Sequence, residues 1–69
     1  MYTQYQWQLA ILGSLPGIGP SLARNLINSF KTIRNLCNAE VDDLMEVNKI
    51  GRKKAEAIFR TVNEEFTVQ

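Results

Sequence analysis

Sliding the 69-residue chain along itself by 32 positions lays Leu12 on Leu44, Gly19 on Gly51 and Ala23 on Ala55, each pair identical. Leu15 then meets Val47, Ile18 meets Ile50, Leu26 meets Ile58, Ile27 meets Phe59 and Phe30 meets Val62. Because the matches fall on apolar and glycine positions, the chain reads as two copies of one supersecondary unit, each of roughly thirty residues. The first unit spans about 5–30, a connector 31–38 and the second unit about 39–66, all within one domain. Any fold must therefore bury nearly the same apolar pattern twice.

The period of that pattern is helical. After "LPGIG", Leu22, Ala23, Leu26, Ile27 and Phe30 fall on one helix face, and Pro20 occupies the first turn, where its missing N–H is harmless. After "VNKIG", Ala55, Ile58, Phe59, Val62 and Phe66 form the same kind of stripe, with Arg52, Lys53 and Lys54 in the opening turn. "YQWQLAILGSL" and "VDDLMEV" read as the helices that precede the two glycine stretches, the second with Glu40, Asp42 and Asp43 near its start, where acids suit the helix dipole. "TIRNLCN" makes a short connecting helix with Thr32 as its N-cap. Nothing alternates with period two. The fold expected is all-α, about five short helices with two hairpins.

Each hairpin places an apolar residue where it can turn inward as a plug, Ile18 between Gly17 and Gly19 and Ile50 between Lys49 and Gly51. The turn, and the first turn of the helix after it, leave backbone N–H groups without intrahelical partners, and the helix dipole makes that spot attractive to an anion. Such a site grips phosphates without reading bases, so it implies sequence-independent, salt-sensitive binding of nucleic acid. Ser21 can donate a further hydrogen bond, while Arg24, Arg52, Lys53 and Lys54 add charge. The plainer alternative is that each glycine stretch is only a tight turn between helices.

Composition narrows the function classes. A chain that is 45% hydrophobic and 22% charged is globular, but one this short has a marginal core, and a partner subunit is a fair expectation. With Cys37 alone and no histidine, neither an internal disulfide nor a Cys/His zinc site can reinforce it. Net charge is only +1, yet it is segregated. Residues 1–39 carry Arg24, Lys31 and Arg34 and no acid; Glu40 to Glu46 holds four acids; Lys49 to Arg60 holds five cations against Glu56 alone. The absence of a long apolar run or a secretory signal implies an intracellular protein without a membrane partner. Met1 and the short length suit an excised domain as well as a small natural protein.

"LPGIGPSLARNLINSF" followed by "TIRNLCNAEVDDLMEVNKIGRKKAEAIF" resembles the tandem helix-hairpin-helix domain at the C-terminus of the XPF/Hef family of structure-specific DNA repair endonucleases, with the UvrC C-terminal domain a close relative. The resemblance runs from about Leu9 to Phe66. It implies a domain that binds duplex DNA near forks or junctions through minor-groove phosphates and that forms homodimers or heterodimers with a homologous subunit, while a separate nuclease domain cuts. By position, Gly17, Ile18, Gly19 and Ser21 form the first hairpin and helix entry, and Ile50, Gly51, Arg52 and Lys53 the second. Two residues depart from the pattern. Lys49 stands where the second hairpin would have its first glycine, and Lys31 replaces the glycine that often follows the "F" closing the second helix.

The family's nuclease signature, an acidic cluster with an adjacent Glu-Arg-Lys that holds divalent metal, has no counterpart here. Asp42, Asp43 and Glu46 read as a solvated helix face, and no serine, cysteine or lysine has a neighbouring base to activate it. The expectation is a non-enzymatic domain without a cofactor, the metal belonging to an attached nuclease. In the similar family an aromatic residue near the C-terminus inserts into the partner, which makes Phe66, with Phe59 and Val62, a candidate dimer interface; alternatively Phe66 covers its own core. Tyr2, Tyr5 and Trp7 can pack on the core or an interface, or stack on unpaired bases. A pure protein-interaction module, and monovalent-cation binding by hairpin carbonyls, remain as other readings of the repeat. If intracellular, the protein works in the nucleus of a eukaryote or the cytoplasm of an archaeon.

Overall fold

A computed structural model describes residues 3–66. Five helices follow in order, α1 (Gln4–Gly13), α2 (Pro20–Phe30), α3 (Ile33–Cys37), α4 (Val41–Met45) and α5 (Arg52–Asn63), with no strand among the described residues. Helices α1 and α2 pack as one helix pair and α4 and α5 as the other, while α3 touches both α2 and α5. The two units of the repeat are thus two helical hairpins joined by a short helix.

Local chemistry sets each boundary. The Thr3 hydroxyl accepts from the Gln6 N–H at 3.2 Å while the Gln6 side chain accepts from the Thr3 N–H at 2.8 Å, a capping box that starts α1. Thr32 caps α3 as expected, accepting from the Asn35 N–H at 3.0 Å. The Asp43 carboxylate accepts from the Glu40 N–H at 3.1 Å at the start of α4. Helix α2 stops at Phe30 because Lys31 adopts φ 71° and the Thr32 N–H bonds the Phe30 carbonyl at 2.8 Å, a γ-turn centred on the lysine. The position favours glycine, and lysine holds it under strain.

The repeat organises the core. Leu12 and Leu44, Ile18 and Ile50, Ala23 and Ala55, and Leu26 and Ile58 are all buried, with Val47 beside them, and Leu36 and Ala39 of the connecting segment join the same cluster. Leu9, Leu15, Leu22, Ile27, Phe30 and Phe59 pack partly buried against it. Burying one isoleucine or leucine contributes about 1.5–3 kcal/mol, so the paired positions dominate the stability of so small a domain.

Helix α1 differs from the others in having no consistently polar face. Tyr5, Trp7 and Ile11 are about half exposed and outside the cluster of buried core residues; Tyr2 lies outside the described residues. The C-terminus brings a second difference. Helix α5 ends at Asn63, whose amide donates to the Phe59 carbonyl at 2.8 Å, and Glu64 turns to extended backbone. Phe66 therefore lies beyond the helix and is fully exposed at 104%, which removes the reading that it covers its own core.

Candidate nucleic-acid interface

The two hairpins superpose bond for bond at the repeat spacing. The Ile18 N–H donates to the Leu15 carbonyl at 3.1 Å across Pro16 and Gly17, and the Ile50 N–H to the Val47 carbonyl at 3.0 Å across Asn48 and Lys49. Proline followed by Gly17 at φ 73° is the signature of a type II turn. Lys49 repeats that angle at φ 69°, so the position requires positive φ and a side chain there costs on the order of 1 kcal/mol. Ile18 and Ile50 are the inward plugs. Their N–H groups, expected to point outward, instead close the turns, so these two residues support the hairpins from inside and offer nothing outward.

What faces outward begins one residue later. Gly19 and Gly51 are the N-caps of α2 and α5, with φ of −98° and −89°, extended backbone open to any residue. A Cβ at either would meet nothing within 4 Å. Neither crowding nor backbone angle inside the chain demands glycine. An N-cap side chain ordinarily reaches back over the N–H groups of the second and third helical residues. Glycine leaves those of Ser21 and Leu22, and of Lys53 and Lys54, uncapped.

Charge gathers at the same ends. Neither α2 nor α5 has an acid in its first turn, and Ser21, Arg24, Lys49, Arg52, Lys53 and Lys54 are all exposed. Arg52 Nη1 lies 3.8 Å from Glu56 Oε2 along α5, a solvent-exposed pair worth little. The acids Asp42 and Asp43 sit instead in the first turn of α4. At the hairpins themselves, each repeat reaches to the other. The Asn25 amide of α2 donates to the Asn48 carbonyl in the second turn at 3.3 Å, and the Lys54 stem of α5 lies over Gly17 in the first, with Cε 3.6 Å and Cγ 3.8 Å from where a glycine Cβ would stand. Sequence could not announce either contact, since both join residues far apart in the chain.

The SAM-like helix-hairpin-helix tandem family matches residues 9–64. The chain belongs to that family. The tandem is 40% identical over 60 residues to the 3′-flap repair endonuclease Xpf of Saccharolobus solfataricus, covering 87% of this chain and 25% of that protein. It is 37% identical over 54 residues to the UvrABC system protein C of Bifidobacterium longum, covering 78% of this chain and 7% of that one. In structure it matches XPF from Aeropyrum pernix in a complex with DNA, with a TM-score of 0.89 and 30% identity over 96% of this chain and 33% of the other. The chain spans a third or less of each relative. It is an XPF- and UvrC-like helix-hairpin-helix domain, as its residues implied.

The remaining candidate residues belong to the C-terminal part of the chain. Phe59 packs partly buried on the core and Val62 is half-buried. Phe66 borders a groove of about 450 Å³ with Pro16, Ala57, Arg60 and Thr61. Among the described residues no group of three acids, histidines or cysteines could hold a metal, and no helix is long and apolar enough to cross a membrane.

Proposed function

We propose that this chain is a non-sequence-specific DNA-binding module of a structure-specific repair endonuclease, holding phosphates of duplex near forks or junctions through the uncapped N–H groups that follow its two hairpins. The observation that carries this reading is the pair Gly19 and Gly51, exposed, unstrained and uncrowded, at the two helix N-termini that the chain leaves without a side-chain cap. Ser21, Arg24, Lys49 and Arg52 to Lys54 add a hydroxyl and charge around those sites. The presence of DNA with the structurally similar XPF from Aeropyrum pernix supports the same reading. The domain itself does no chemistry; cutting, with its divalent metal, falls to an attached nuclease domain, inside the cell.

Dimerisation with a second copy or a homologous subunit belongs to the proposal too. Its support is the fully exposed Phe66. A pure protein-interaction role is the competing reading, favoured by the half-exposed Tyr5, Trp7 and Ile11 on α1. Fluorescence anisotropy with labelled duplex, single-stranded and forked DNA at two salt concentrations separates the two. The DNA-binding reading expects affinity for duplex or fork that falls steeply with salt; no binding at low salt, with tight dimerisation in sedimentation, establishes the other.

A further inference from the structure

We propose that Lys54, although it belongs to the second repeat, serves the first hairpin, so that each hairpin turn carries one lysine ammonium. The proposal rests on the DNA-binding reading above and refines which residues make each site. "RKK" at 52–54 looks in sequence like one cluster dedicated to the second hairpin. Successive residues on a helix diverge by a third of a turn, and the structure sends the three apart. Arg52 lies along α5 toward Glu56, and Lys53 borders the groove beside Val41 and Phe59. Lys54 crosses to the other repeat, its Cε and Cγ over Gly17, which places the ammonium one bond beyond, at the first turn.

The repeat makes this crossing meaningful. Gly17 and Lys49 are equivalent positions with the same positive φ. In the second hairpin the lysine is the turn residue itself, held under strain. In the first hairpin the turn residue has no side chain, and a lysine from the other repeat covers it. Lys54 has Leu22 as its own repeat equivalent, half-buried, so the exchange of charge runs one way. The first hairpin stretch, Leu15 to Ser21, contains no charged residue, and the next cation along its own repeat is Arg24, a turn into α2. The two hairpins therefore share their cations across the repeat boundary, and the first depends on the second for its charge.

The test is an amide-resolved NMR titration of the wild type and Lys54→Met with a short DNA duplex, carried to saturation. Methionine keeps an apolar stem over Gly17 and removes only the charge. Losing one phosphate contact is expected to weaken binding roughly eightfold at 0.1 M salt and to lower the salt slope by about 0.9. The DNA-induced shifts of the Gly19 and Ser21 amides should shrink while those of Gly51 and Arg52 persist. An undiminished affinity, an even loss across both hairpins, or a loss confined to Gly51 and Arg52 overturns the proposal. If the wild type itself shows no salt-sensitive binding, the DNA-binding reading fails and this inference falls with it. Binding by the wild type with the wrong pattern in the variant defeats this inference alone.

Discussion

Lys49 offers a case where stability and binding should move in opposite directions. Its φ of 69° is the left-handed conformation that glycine adopts at the equivalent position of the first hairpin. A side chain there costs about 1–2 kcal/mol. Glycine would remove that cost but add about 0.5–1 kcal/mol of backbone entropy to be lost on folding. Lys49→Gly should therefore gain roughly 0.5–1 kcal/mol, which in a domain of this size raises the melting temperature by about 2–8 °C. The same change removes a cation from the hairpin tip and should weaken duplex binding about eightfold at 0.1 M salt. Lys31→Gly is the matched control. Lys31 is also a lysine at positive φ, but it closes the far end of α2, about 16 Å of helix away from the hairpin. It should stabilise similarly and leave binding within twofold. Thermal melts by circular dichroism and anisotropy titrations read both quantities. If neither variant melts higher, the strain is not there; if Lys49→Gly binds as tightly as the wild type, Lys49 does not face the phosphates.

Three further outcomes follow from the packing and the caps. Ile50→Ala empties a plug position and should cost about 2–5 kcal/mol, against a total stability of roughly 3–10 kcal/mol for a chain this long; chemical denaturation should find the variant largely unfolded or close to it. Thr32→Ala removes the cap of α3 and should cost about 1 kcal/mol in the same assay, with DNA affinity unchanged because Thr32 lies outside both hairpins. Glu56→Gln breaks an exposed pair with Arg52 and should change stability by less than about 0.5 kcal/mol, while freeing Arg52 and raising affinity modestly at low salt in an anisotropy titration.

Much of this fold was legible because the repeat prints its core twice. Leu12, Ile18, Ala23 and Leu26 and their partners 32 residues on are apolar or small in both copies, and all are buried. Thr32 announced its cap because a hydroxyl before an apolar stretch has few other uses. The helices that lead into the two hairpins, α1 and α4, end earlier than their apolar stripes imply, at Gly13 and Met45. In both, the last residues bond three back rather than four, as Leu15 does to Leu12 and Val47 to Leu44, and an apolar stripe does not distinguish that turn from continuing helix. Phe66 misled for a similar reason. It keeps the spacing of the α5 stripe, but the Asn63 side chain bonds back to Phe59 and the chain leaves the helix two residues earlier. At the site, uncapped N–H groups in the first turn of each following helix are legible from sequence, whereas those of the plugs are not outward, since Ile18 and Ile50 use them to close the turns. The reach of Lys54 over Gly17 depends on how the two repeats face each other, which no local pattern encodes.

The central claim rests on Gly19 and Gly51, and the measurement that tests it most directly is duplex-DNA affinity for Gly19→Leu, Gly51→Leu and the double variant, with circular dichroism to establish that each folds. Both sites have open space and ordinary backbone angles, so the fold should survive. A side chain standing over the helix N-terminus should remove charge-assisted hydrogen bonds worth about 1.5–3 kcal/mol, which is a loss of roughly tenfold to a hundredfold for each single variant and of all measurable binding for the double. A folded double variant that binds duplex as the wild type does would contradict the account and leave the tandem as a protein-interaction module.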